Sequence, residues 1–112
     1  MTALKSPARV VTRDDLTFTP RFAYGEMAQV AEVCGAGDGS KLGTGFVRMT
    51  DAEIPWTTGY DEVVLVLEGE ITIRTDQGDL TAGPQDSIWL PAGTELTYIA
   101  KSALVFYAIE PT

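Results

Sequence analysis

The most constraining feature of the chain is its punctuation. From residue 28 onward, short apolar or alternating runs are interrupted roughly every eight to ten residues by Gly, Pro or Asp. The runs cover residues 28–34, 45–50, 63–67, 71–75, 79–82, 87–90, 95–100 and 103–109, and each is of strand rather than helix length. Residues 63–67, Val-Val-Leu-Val-Leu, form the strongest strand former. Residues 28–34 leave a helix open as the alternative. No stretch carries a sustained 3.6-residue apolar period bounded by caps. Such a rhythm predicts an all-β sandwich or barrel. The Pro-containing residues 55–61 read as a loop, and Lys101-Ser102 as a turn between two last strands. In residues 1–27, Val10-Val11 and residues 16–22 read as an arm with an edge strand.

Size and charge narrow the function. The 112 residues make one domain with a single core. The net charge of −8 argues against nucleic acid and anionic membrane surfaces as partners. Residues 1–11 lack the apolar core of a signal peptide, and no run is long enough for a spanning helix, so the expected compartment is the cytoplasm. Cys34 is the only cysteine and pairs with no other in the chain. No histidine is present, which removes imidazole metal sites, the common catalytic triads and the usual general base. The glycine-rich residues 35–45 contain Lys41, but Ser40 precedes it and Leu42 follows, so the phosphate-loop pattern fails.

The sequence Pro55-Trp56-Thr57-Thr58-Gly59-Tyr60-Asp61-Glu62 carries the candidate chemistry. Glu62 shares strand parity with Val64 and Val66. If those valines face inward, so does the carboxylate, and a buried carboxylate requires a partner or a role.

Two spacings resemble the cupin family: Glu62, six residues, Gly69; and Pro91-Ala92-Gly93. The histidine positions of the cupin metal motif hold residues from Pro55 to Thr58, and Leu96 stands at the third, so the resemblance implies the frame without the metal. Gly45-Phe46-Val47-Arg48, Pro55-Trp56-Thr57, Tyr60-Asp61-Glu62 and Val66-Leu67-Glu68-Gly69-Glu70 are similar to the words of the histidine-less ethanolamine-utilisation cupins of the EutQ family. That resemblance implies a single jelly-roll barrel over residues 28–112, preceded by an arm over residues 1–27. It also implies ethanolamine or acetate metabolism, with ATP and Mg²⁺ needed only if an acetate kinase-type activity holds, and microcompartment proteins as possible partners.

In a cupin barrel, parity places a small-molecule pocket among these residues. Glu62 and Tyr60 are the expected catalytic pair, with Arg48, Trp56, Tyr98 and Leu96 as ligand-binding residues and no metal. Arg48 is expected inside with Phe46, as the cation facing Glu62. The competing expectation is a non-catalytic ligand-binding or assembly module. The outward parity of Val63, Leu65 and Leu67 is also apolar, so a second sheet is expected to cover it, and a homodimer is the expected form.

Overall fold

A computed structural model describes residues 7–21 and 24–110. The readings on residues 1–6, Phe22 and Pro111 lie outside these. The described residues form eight strands: β1 (Thr19–Pro20), β2 (Ala28–Cys34), β3 (Gly43–Thr57), β4 (Glu62–Gly69), β5 (Ile71–Thr75), β6 (Gly78–Ala82), β7 (Ser87–Leu90) and β8 (Glu95–Ile109). The all-β reading holds, and residues 28–34 are a strand. Single 3-10 turns lie at Arg13–Asp15 and Ala36–Asp38. Val10 and Val11 are not in a strand; the edge strand is β1, paired antiparallel to β2.

The sheet order is β1-β2-β3-β8-β4-β7, with β5 pairing β8 and β6 pairing β5. Two long strands make this one closed structure. β3 and β8 pair along their whole length and bend together, where Thr50 faces Ser102 and Ala52 faces Ala100. Asp51 takes a positive φ of 43° at the corner. Beyond the bend, the second half of β3 and the first half of β8 join β5 and β6. Before it, the other halves join β2, β4 and β7. The expected turn at Lys101-Ser102 is therefore a bend within one strand. The expected loop at Pro55 is likewise part of β3. Among the described residues this half of β3 pairs with β8 alone, so the missing proline N–H falls on a free edge.

The core lies between the two layers. Val47, Val64, Val66, Ile88, Leu90 and Val105 from one layer meet Ile54, Ile71, Ile73, Leu96 and Ala100 from the other. Gly69 closes the β4–β5 turn at φ +76°, and a Cβ there would overlap the Ser102 carbonyl. Only glycine meets both conditions without strain.

Candidate active site

One end of the space between the layers is not filled. Glu62 and Val64 on β4 face it, with Val47, Met49, Ile54 and Trp56 on β3 and Tyr98, Val105 and Tyr107 on β8. Arg21 and Tyr24, from the connection between β1 and β2, and Tyr60, from the β3–β4 loop, complete the rim. The cavity holds about 100 Å³ and contains all four tyrosines of the chain.

The β3–β4 loop that carries Tyr60 is pinned at both ends. Thr58 Oγ1 donates to the Pro91 carbonyl at 2.8 Å and accepts from the Thr94 amide at 2.9 Å. The Thr58 amide and carbonyl bond Thr94 and Gly93. Asp61 accepts from the Ala92 amide at 2.9 Å. The two motif segments of the sequence, residues 55–62 and 91–94, are thus one hydrogen-bonded structure. Buried Thr58 and exposed Asp61 hold it, and Tyr60 and Glu62 project from it.

Glu62 is half-buried, and Tyr98 Oη donates to its Oε1 at 3.4 Å. Burial pushes the Glu62 carboxyl above its ordinary value; the Tyr98 hydrogen bond and the charge of Arg21 partly oppose this. Tyr98 is pushed strongly upward by burial, then by the charge and hydrogen bond of Glu62. Tyr107 is raised, again mainly by burial, with Arg21 opposing. Glu62 and Tyr98 therefore hold their protons more tightly than in water. A carboxyl near an apolar wall and a fixed phenol are groups suited to proton transfer.

Four of the expected site residues come together here: Glu62, Tyr60, Trp56 and Tyr98. Leu96 packs into the core and lines a shallow cleft with Pro55, Trp56, Thr57 and Glu95. Arg48 must be corrected. It is exposed on the opposite face of β3, with its guanidinium 5.8 Å from the Phe18 ring. Val47 and Met49 point inward in its place, so the parity inferred from Phe46 was the wrong one. Phe46 packs edge-on against Phe106, 5.1 Å away on that outer face. The alternation of Val47 and Met49 with Arg48 and Thr50 carried the right signal. The cation lining the cavity is Arg21, its guanidinium 5.1 Å over the Trp56 ring. Tyr107 shares parity with inward Val105 and was legible in the same way. Arg21 and Tyr24 had no local signal.

The cavity does not offer the donor set of a resident transition metal. It has one carboxylate, the chain has no histidine, and no group of three metal-ligating side chains occurs among the described residues. No helix among the described residues is long and apolar enough to cross a membrane.

Comparison with known proteins agrees with this frame. The chain is 35% identical over 69 residues to the protein named acetate kinase EutQ of Escherichia coli (strain K12), and 33% identical over 69 residues to that of Salmonella typhimurium. Those matches cover 62% of this chain but 30% of the relatives, so the chain spans under a third of their length. Among solved structures, an ethanolamine utilisation protein Q from Salmonella typhimurium superposes with a TM-score of 0.86 at 24% identity, over 98% of this chain and 93% of that one. The polyketide cyclase RemF of Streptomyces resistomycificus superposes with a TM-score of 0.81 at 17% identity, covering 92% of this chain and 79% of that one. These two establish the fold, which RmlC-like cupins share. The family model for ethanolamine utilisation protein EutQ matches residues 7–112, and the chain belongs to that family.

Proposed function

We propose that the cavity is a small-molecule site in which Glu62 is the acid/base group, working in the ethanolamine-linked metabolism of its family. The observation that carries this is the contact of Glu62 with Tyr98 inside an otherwise apolar and aromatic cavity. A few convergent polar groups in an apolar cleft are the usual composition of a ligand site. Tyr60, beside Glu62 on the pinned loop, is the second catalytic candidate. Trp56 forms a wall.

The relatives' acetate kinase name suggests phosphoryl transfer as the finer version of this proposal. That chemistry requires ATP, Mg²⁺ and a phosphate cradle. The glycine-rich connection between β2 and β3 folds on itself: the Gly35 amide donates to Asp38, which also pairs with Arg9 at 3.1 Å. Acid/base chemistry at Glu62 is the better supported half. The test is a thermal-shift comparison of wild type and Glu62→Gln against acetate, acetyl phosphate, ATP with Mg²⁺, ethanolamine, sugars and small carboxylates. A ligand at about 100 times its Kd adds roughly 2.7 kcal/mol, enough to raise Tm by several degrees. The proposal expects a shift in wild type that falls away in Glu62→Gln. An undiminished shift in the variant removes Glu62 from the site.

A separate observation supports an assembly role. The outer face of β4 and β7 exposes Val63, Leu67 and Trp89 at 43%, 37% and 59%. We assign this face to a homodimer in the cytoplasm, with microcompartment proteins as the alternative partners. Light scattering distinguishes a dimer from a monomer directly.

A further inference from the structure

The proposed site also indicates which class of molecule it takes, and the following inference rests on that reading. Of the four tyrosines lining the cavity, Tyr98 alone has a hydrogen-bond partner for its hydroxyl among the described residues, and that partner is Glu62 Oε1. The hydroxyls of Tyr24, Tyr60 and Tyr107 have none. Yet among the described residues no unpartnered side-chain oxygen or nitrogen is sealed from solvent. These three phenols are therefore open to the cavity they line. A phenol is uncharged and both donates and accepts, which matches the hydroxyl and carbonyl oxygens of a neutral molecule.

The placement of Tyr107 depends on a glycine. Tyr107 on β8 pairs with Gly45 on β3, and a Cβ at Gly45 would stand 3.0 Å from the Tyr107 hydroxyl. The phenol thus reaches across β3 at the residue that has no side chain to meet it. The same Cβ would stand 2.6 Å from the Ala31 carbonyl, so Gly45 also sets the close approach of β2. β4, which carries Glu62, flanks β8 on the other side. The Tyr107 hydroxyl and the Glu62 carboxyl hence border the cavity from opposite sides of β8. Gly45 opens the word Gly45-Phe46-Val47-Arg48, so this word reaches the site through its glycine and not through its arginine.

Charge selects against ions. The charged residues of the lining are Arg21 and Glu62. Arg21 is engaged: its guanidinium lies over Trp56 and it has a further partner in the chain. A ligand anion finds no lysine in the lining and meets the Glu62 carboxyl. A ligand cation has to share Glu62 with Arg21, whose charge already acts on that carboxyl, and the Trp56 face is taken. An ion that enters an apolar cavity without a free counter-charge loses its hydration uncompensated. We propose that the cavity binds an uncharged molecule with hydroxyl or carbonyl oxygens on an apolar body, with the Tyr107 hydroxyl and the Glu62 carboxyl among its contacts.

The test uses two sets of probes matched in shape and differing in charge. One set is 1,2-propanediol, lactate and 1-amino-2-propanol; the other is benzyl alcohol, benzoate and benzylamine. Each is titrated at neutral pH into the full ¹⁵N-labelled chain and followed by amide NMR shifts. In whichever set binds, the alcohol is expected to move the amides of Tyr60, Glu62 and Tyr107 and to bind several-fold tighter than its acid and its amine. Tyr107→Phe removes a hydroxyl that has no protein partner, so its unliganded Tm is expected to equal that of wild type, while the alcohol binds about threefold weaker or more. An acid or amine that binds at these residues as tightly as the alcohol overturns the inference and leaves the Glu62 pocket standing. Alcohol binding indifferent to Tyr107→Phe overturns it too, as does a lowered Tm of the unliganded variant, which gives the hydroxyl a structural role. Absence of any shift at Glu62 with all six probes removes the inference together with the pocket.

Discussion

The inner and outer faces of β4 carry similar side chains in very different surroundings. Val64 and Val66 point inward and are buried under the opposite layer, whereas Val63, opposite Trp89, and Leu67 point outward and stay exposed. A strand with one face in the core and the other in water alternates apolar with polar residues. β4 does not, and it departs from that rule on both faces. On the inner face the exception is Glu62, a carboxylate in an apolar row. On the outer face it is the apolar row itself. An inward carboxyl and an outward hydrophobic patch are each informative because each is unfavourable without a partner; Tyr98 is one such partner for Glu62. Farther along the outer face, at β3, Arg48 stacks on Phe18 of the N-terminal arm, so that part has its cover within the chain.

The comparison can be broken most strongly from the inside. Ile73→Ala removes a side chain with no exposed surface on β5 and is expected to destabilise the fold by about 2–5 kcal/mol. Chemical denaturation measures this; a loss below about 1 kcal/mol means the layers are not packed as described. From the outside, Trp89→Asp leaves the core untouched. It is expected to convert a dimer to a monomer in light scattering, with unfolding of the dissociated chain altered by no more than about 0.5 kcal/mol. A wild type that is already monomeric sinks the homodimer.

The third prediction concerns pH. Glu62 binds its proton more tightly in the folded chain than in the unfolded one, because burial raises its carboxyl above the ordinary value of 4.5. Wild-type stability from this group is complete below that value and is lost as pH rises through the raised value. Glu62→Gln has no such loss. The variant is therefore expected to gain in Tm relative to wild type between pH 4 and pH 8, and calorimetry at both ends checks the sign. A difference that does not change with pH contradicts the burial of the carboxyl. The smallest effect is that of Tyr98→Phe. Loss of its 3.4 Å bond to Glu62 is expected to change stability by about 1 kcal/mol or less. It should also move the Glu62 transition further upward, since that bond now lowers it. Titration of the carboxyl by NMR reads the shift directly.

Much of the barrel was legible because strand parity is a local property. The alternation that pairs Glu62 with Val64, and Tyr98 with Leu96, follows from backbone geometry alone. Where two parities competed, the outcome depended on what lay across the sheet. Phe46 suggested one face of β3, while Val47 and Met49 suggested the other. The aromatic ring found a partner in Phe106 on the outer side, and Arg48 followed it out. Thr58 and Asp61 were visible as part of a motif, but their function as pins became apparent only when the turn around Pro91–Gly93 was brought against them. Leu96 occupied the expected strand and face, yet it packs in the core and lines the shallow cleft beside Pro55 rather than the cavity.

The sequence by itself determined the strand rhythm, the glycine turn at Gly69, the absence of imidazole ligands and the inward carboxylate. Each of these depends on bond geometry or on residue chemistry over a few neighbouring positions. The tertiary structure decided that β3 and β8 each run through both layers, and that Arg21 supplies the cavity's cation in place of Arg48. It also decided that one apolar face is sealed and the other left open. Those outcomes depend on which distant segments meet, and the segment carrying Arg21 reaches Glu62 only after β1 has paired with β2 and β4 has joined β8. A local pattern specifies which way a side chain points; the closure of the barrel specifies what it meets there.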